Sequence, residues 1–217
     1  MPYITGLMRS ADAATLLRVA IVLFAAYMII LKFFVPGAIL LIAVALVLDG
    51  LDGFLAVRGQ SKGKVGIVMY ARAAMGDAKR KAAVKVLKGR ISSSAPYGAR
   101  MDIAGDRIVE YTLWATFVYL QVLPLWILLI VFVRHSFVDA VMGSKGTSSR
   151  MKTGFAAAVY SSNIGRGGIN IVKFLAFAYL ALVYAYGYPI LVGYILAGIL
   201  LAYILLRGIA ELYEELT

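Results

Sequence analysis

Four aspartates, Asp49, Asp52, Asp102 and Asp106, interrupt stretches of otherwise apolar sequence, and Glu110 follows the last of them. Asp49 and Asp52 are three residues apart, whereas Asp102, Asp106 and Glu110 recur every four, so on helices each set shares one face. A carboxylate inside a bilayer-spanning helix costs on the order of 3 kcal/mol, which leaves it rare unless it faces a polar cavity, binds an ion or pairs with a cation. Acidic stripes that meet repel one another until cations neutralise them. A ligand set made of oxygen alone is the type that hard divalent ions prefer, so Mg²⁺ or Mn²⁺ is the natural counterion. Such ions hold a pyrophosphate and stabilise the charge of a phosphoryl transfer, while a carboxylate beyond the tightest coordination activates a hydroxyl. That chemistry points to a nucleotide-diphosphate substrate. The reading without chemistry is a set of structural ion pairs with Arg58, Arg100 and Arg107.

The elements that must carry these acids are membrane helices. Of 217 residues 62% are hydrophobic, against about half in a soluble domain. Six stretches are close to the length of about 20 residues that a span needs: 13–34, 36–56, 103–123, 125–142, 171–186 and 189–209. The expected fold is therefore an all-α integral membrane protein, a single catalytic domain over 1–217 with six transmembrane helices. Residues 1–10 do not read as a removable signal peptide.

Charge sets the orientation. The connection 57–101 holds eleven of the 22 Lys and Arg against one acid, Asp77, and the connection before the fifth span adds Lys145, Arg150, Lys152 and Arg166. The turns at Val35, Leu123–Pro124 and Gly187–Tyr188 are read as uncharged, so both basic connections, both termini and the aspartates fall on the cytoplasmic side of the cell membrane. Within 57–101 the Lys-rich run 78–90 reads as an amphipathic interfacial helix, serving either headgroup attraction or a lid over the site. The net charge of +11 flanks apolar spans, which fits membrane lipid and phosphorylated substrates as partners and no nucleic acid. With no cysteine, thiolate metal sites and cysteine nucleophiles are excluded.

The run Asp49-Gly50-Leu51-Asp52-Gly53-Phe54-Leu55-Ala56, followed by Gly98-Ala99-Arg100-Met101-Asp102-Ile103-Ala104-Gly105-Asp106, resembles the signature of the CDP-alcohol phosphotransferase family. That pattern is D-x-x-D-G-x-x-A-R, a spacer, then G-x-x-x-D-x-x-x-D. Two departures stand out: Val57 occupies the place of the family Arg, with Arg58 next, and the spacer is longer. The resemblance implies that Asp49, Asp52 and Asp102 coordinate two Mg²⁺ or Mn²⁺ ions and that Asp106 is both ligand and general base. It places Gly53, Ala56, Arg58 and Gly98 at the nucleotide. The implied reaction is phospholipid synthesis, in which the hydroxyl of a polar alcohol attacks a CDP-lipid, CDP-diacylglycerol or CDP-archaeol, and CMP leaves. Arg134, at the inner end of the fourth span, and Arg166 resemble positions that hold an acceptor's phosphate, glycerol phosphate or inositol phosphate, with Arg150 and Lys152 interchangeable candidates. Asp106-Arg107-x-x-Glu110 leans toward inositol phosphate. The family resemblance also implies a homodimer.

Thr15 and Arg18 resemble a Thr-x-x-Arg element of the family's first span, and an Arg inside a membrane helix needs an acid or a substrate as partner. The lone histidine, His135, reads as a packing residue, and Glu211, Glu214 and Glu215 as solvated charge after the last span. A different class stays open beside the enzyme: a divalent-cation transporter or channel that uses the aspartates as an ion path.

Overall fold

In the computed structural model the described residues are 10–60, 66, 68–69, 98–145 and 163–216. Six helices form among them: α1 (Ser10–Ile30), α2 (Val35–Gln60), α3 (Gly98–Tyr119), α4 (Leu125–Lys145), α5 (Asn163–Tyr186) and α6 (Ile190–Leu216). The lysine-rich run of the 57–101 connection, Arg150 and Lys152 lie outside the described residues, as do the side chains of Asp52, Gly53, Ala56, Gly98, Arg166, Glu214 and Glu215.

Apolar sequence in a bilayer must satisfy its own backbone, and the helix does this within one segment. Where each helix stops is equally local. After α1, Phe33 N–H donates to Met28 O and Lys32 N–H to Ile29 O, with Lys32 in the left-handed region at φ 53°. The end of α3 repeats this cap, Val122 N–H donating to Phe117 O and Gln121 N–H to Val118 O with Gln121 at φ 58°. Both are Schellman closures, which satisfy the last carbonyls of the helix. The turn after α5 places a glycine where the chain needs positive φ, Gly187 at 70°. Pro36 stands in the first turn of α2, Pro124 just before α4 and Pro189 just before α6, where a missing N–H costs nothing.

Three of the helices are long and apolar enough to cross a membrane: Asp12–Ile30, Gly168–Tyr186 and Ile190–Tyr213. The apolar part of α2 is the shorter Val35–Asp49, and α3 and α4 are broken by charge, at Asp102, Asp106, Arg107 and Glu110 in one and Arg134 and Asp139 in the other. Large apolar side chains also stand on the outside, among them Phe24, Leu40, Phe137, Leu191 and Ile195. A soluble surface does not tolerate this density of apolar groups, whereas lipid does.

Several boundaries differ from those read in the sequence. The first span ends at Ile30, not Phe34, so Lys32 falls in the turn expected to be uncharged, its ammonium 4.5 Å from the centre of the Tyr184 ring. The third begins at Gly98, which puts Asp102 and Asp106 within its first turns and not at its mouth. The sixth continues to Leu216, so Glu211 belongs to the helix. Hydropathy windows miss the last two of these ends because helix continues through charged residues once tertiary partners exist for them.

The chain divides into two compact units, Met1–Val22 with Ala43–Val109, and Leu23–Ile42 with Glu110–Thr217. The first is built on one face of α1, where Ala14, Thr15, Arg18 and Val22 are all buried, together with Ala45, Phe54 and Val57 of α2 and Val109 of α3. In the second, α6 packs against α4 and α5. Gly193 allows the close approach of α5 and α6, since a Cβ there would sit 3.0 Å from Leu180 Cδ2. An aromatic core closes this unit: Trp114 meets Phe177 edge-on at 5.1 Å, and Phe117 stacks on Phe177 at 6.0 Å.

Phe177 touches both aromatic partners and is fully buried. Phe177→Ala is therefore expected to cost about 3–5 kcal/mol, read as a lowered midpoint of detergent or thermal unfolding by far-UV circular dichroism.

Candidate metal centre

The first unit contains a charge that the sequence alone makes expensive. Arg18 lies on the buried face of α1, 2% exposed. Its Nη1 pairs with Asp49 Oδ1 of α2, and its Nη2 lies 2.7 Å from Asp106 Oδ1 and 3.8 Å from Asp102 Oδ1 of α3. Three helices thus meet at one guanidinium.

Gly105 makes this possible. It is buried between the two α3 aspartates, and a Cβ built on it would collide with the Thr15 side chain and stand 3.2 Å from Arg18 Nη2. Without a side chain there, α3 lies against α1 and the carboxylates on either side wrap the guanidinium. One carboxylate oxygen from each of Asp49, Asp102 and Asp106 falls within 4.8 Å of the others. Asp102 and Asp106 remain about half exposed, so the cluster is reachable from outside. Three anionic oxygens set against one buried monovalent cation fit a hard divalent ion, and this triad can hold one.

The remaining sequence candidates divide by what the structure describes. Asp52, Gly53 and Ala56 continue α2 beyond Asp49, and Gly98 opens α3. Val57 is fully buried while Arg58 is exposed, its guanidinium 5.9 Å from the Phe54 ring. Neighbouring residues on a helix differ by about 100° in direction, so Arg58 does not present its charge where a residue at 57 would. Arg166 lies in the first turn of α5.

Arg134 differs from the expectation: it stands in the middle of α4, not at its end, and its side chain is 8% exposed. Its Nη2 donates to Glu211 Oε2 at 2.8 Å and its Nε to the Ile204 carbonyl at 3.1 Å. Gly208 makes room for it, since a Cβ there would lie 2.6 Å from Arg134 Nε. Nη1 lies 2.7 Å from His135 Nδ1. Arginine can only donate, so Nδ1 accepts and the ring hydrogen belongs on Nε2. That nitrogen faces Glu110 Oε1 at 3.5 Å, and Lys173 Nζ donates to Glu110 Oε2 at 2.8 Å. Arg207 Nε completes the chain, 3.6 Å from Glu211 Oε1.

Glu211 is accordingly buried, which overturns its reading as solvated helix-end charge, and Glu110, whose spacing joined it to the aspartates, is held by Lys173 and His135 in the second unit. Lys173 was absent from the sequence candidates. The signal that finds it is its position as the one cation within the apolar stretch 171–186, where a lone charge demands a partner.

Compared with known proteins, the chain matches no family model, no curated protein and no solved structure.

Two outcomes follow from this geometry. Gly105→Ala should separate α1 from α3 and abolish stabilisation by Mg²⁺ or Mn²⁺ in thermal-shift measurements, while far-UV circular dichroism stays helical. Glu110→Ala should lose about 1–3 kcal/mol, because it leaves the partly buried Lys173 without this acid, and adding Lys173→Met should restore most of that loss in an unfolding titration.

Proposed function

We propose that the chain is a metal-dependent CDP-alcohol phosphotransferase of phospholipid synthesis, embedded in the cytoplasmic membrane by six helices with the aspartates facing the cytoplasm. The observation that carries the reading is the convergence of Asp49 with Asp102 and Asp106, which lie more than 50 residues later in the sequence, on one point. Their spacings also resemble the family pattern, and half-exposed carboxylates in an apolar helical frame suit a substrate with a lipid part and a charged part.

Asp49, Asp52, Asp102 and Asp106 would hold one or two Mg²⁺ or Mn²⁺ ions. When bound, these supply positive charge to the diphosphate of a CDP-lipid and to the departing CMP. Asp106, one of the more exposed of the cluster, takes the proton of the acceptor hydroxyl. The freed oxygen forms a bond to the β-phosphorus, the bond from that phosphorus to the CMP oxygen breaks, and CMP leaves with its electron pair. Gly53, Ala56 and Gly98 leave room for the nucleotide to approach the backbone. The acceptor is a polar alcohol, with inositol phosphate or glycerol phosphate favoured by the basic positions. Since Arg134 is engaged by Glu211, its guanidinium reaches a phosphate only by giving up a buried ion pair; Arg166 is the better assignment for that contact.

The test is CMP release from CDP-diacylglycerol and CDP-archaeol across a panel of alcohols, with and without Mg²⁺ or Mn²⁺. Activity should require metal and fall at least about a hundredfold in Asp106→Asn, the scale of general-base loss. Full activity of Asp106→Asn would remove the assigned base. Metal-ion uptake into liposomes by the wild type without CMP release would instead establish the transport reading.

A further inference from the structure

Resting on the proposed metal centre, we infer that Arg18 is an exchangeable counter-ion of the aspartate triad, a guanidinium that keeps the empty centre assembled and that the divalent ion must displace in order to bind.

The competition follows from shared carboxylates. Arg18 contacts Oδ1 of Asp49, Asp102 and Asp106, and these three residues are the ones whose oxygens gather closely enough for a metal. A guanidinium is planar and forked, so two of its nitrogens serve three carboxylates that would otherwise repel. It brings a single positive charge to the three carboxylates it contacts. A divalent ion brings twice as much to the same carboxylates and binds them at shorter range, so it wins when present, at an affinity reduced by the contacts Arg18 gives up.

Arg18 is also incompletely satisfied where it sits. Its Nε is buried and makes no hydrogen bond to any described residue. A guanidinium serving only as structural glue inside an apolar frame normally has its donors filled; one with a vacant donor is less firmly held. Gly105 sets the same balance from the other side, because the absence of a Cβ keeps Nη2 beside Asp106. The arrangement therefore makes Arg18 a positioning residue that acts on the metal through the triad.

The experiment is a Mn²⁺ titration of the purified full chain in detergent, free Mn²⁺ read by electron paramagnetic resonance, with thermal unfolding in EDTA as a second readout. Variants are Arg18→Gln, Arg18→Lys and Asp106→Asn. Arg18→Gln is expected to bind Mn²⁺ roughly tenfold tighter than wild type, the factor that loss of one competing charge-assisted contact supplies, while unfolding at lower temperature in EDTA and regaining stability with Mn²⁺. Arg18→Lys, a point charge that cannot bridge all three carboxylates, should fall between the two and remain folded. Mn²⁺ affinity unchanged or weakened in both Arg18 variants, with Asp106→Asn still abolishing binding, overturns the exchange and leaves the metal centre standing. Failure of the wild type to bind Mn²⁺ at all overturns the centre and the exchange together.

Discussion

A guanidinium cannot sit alone in an apolar helix bundle, and the burial of Arg18 dictates much of what surrounds it. Arginine does not lose its proton in a protein, so burial has to be met by anionic partners. Those partners come from α2 and α3, and bringing them within reach requires α3 to lie against α1, which in turn requires glycine at 105. The small or short residues on the same face of α1, Ala14 and Thr15, belong to the same requirement, because a larger side chain would hold α3 away. One buried charge thus explains the face of one helix, a glycine in another and the meeting of acids from two.

The second unit obeys the same rule with a different balance. There Glu110 and Glu211 are set against Lys173, Arg134 and Arg207, with His135 between them; the acids and His135 are buried, and the cations are partly exposed. Each acid has a cation at contact or nearly so. Such a network fixes four helices relative to one another within the unit, and with two acids set against three cations it has no negative charge to spare for a metal ion. The aspartate triad sets three carboxylates, two of them about half exposed, around the Arg18 guanidinium. Charge balance and access, more than the presence of acids, separate a binding site from structural ion pairing, and they also argue against reading the second network as a cation path, since its cations would repel a passing ion.

Helix content and the shared face of Asp102 and Asp106 were legible because both are local: apolar length gives the helices, and an interval of four gives the face. What was not legible depends on tertiary partners. Arg18 could be marked as needing an acid, but which acids, and that there are three, depends on Gly105 and on the approach of α1 and α3. Arg134 was read as a span-end charge although it stands mid-helix in α4, and Glu211 was read as solvated although α6 continues to Leu216. The two charged residues are held inside by one another. Glu110 was grouped by spacing with Asp106, whereas the helix delivers it to Lys173 and His135. Periodicity fixes the face of a residue but not the partner that face meets.

The departure at Val57 is explicable in the same terms. Position 57 points into the first unit beside other buried apolar groups, and a charged side chain there would need a further acid from a cluster in which Arg18 already occupies Asp49. Valine fits that apolar surrounding without demanding a counter-ion. Arg58 stands on the exposed side, its guanidinium over the Phe54 ring. The cation that the first unit buries against Asp49, Asp102 and Asp106 is Arg18, delivered from α1, and the apolar surroundings of position 57 fit that division of roles.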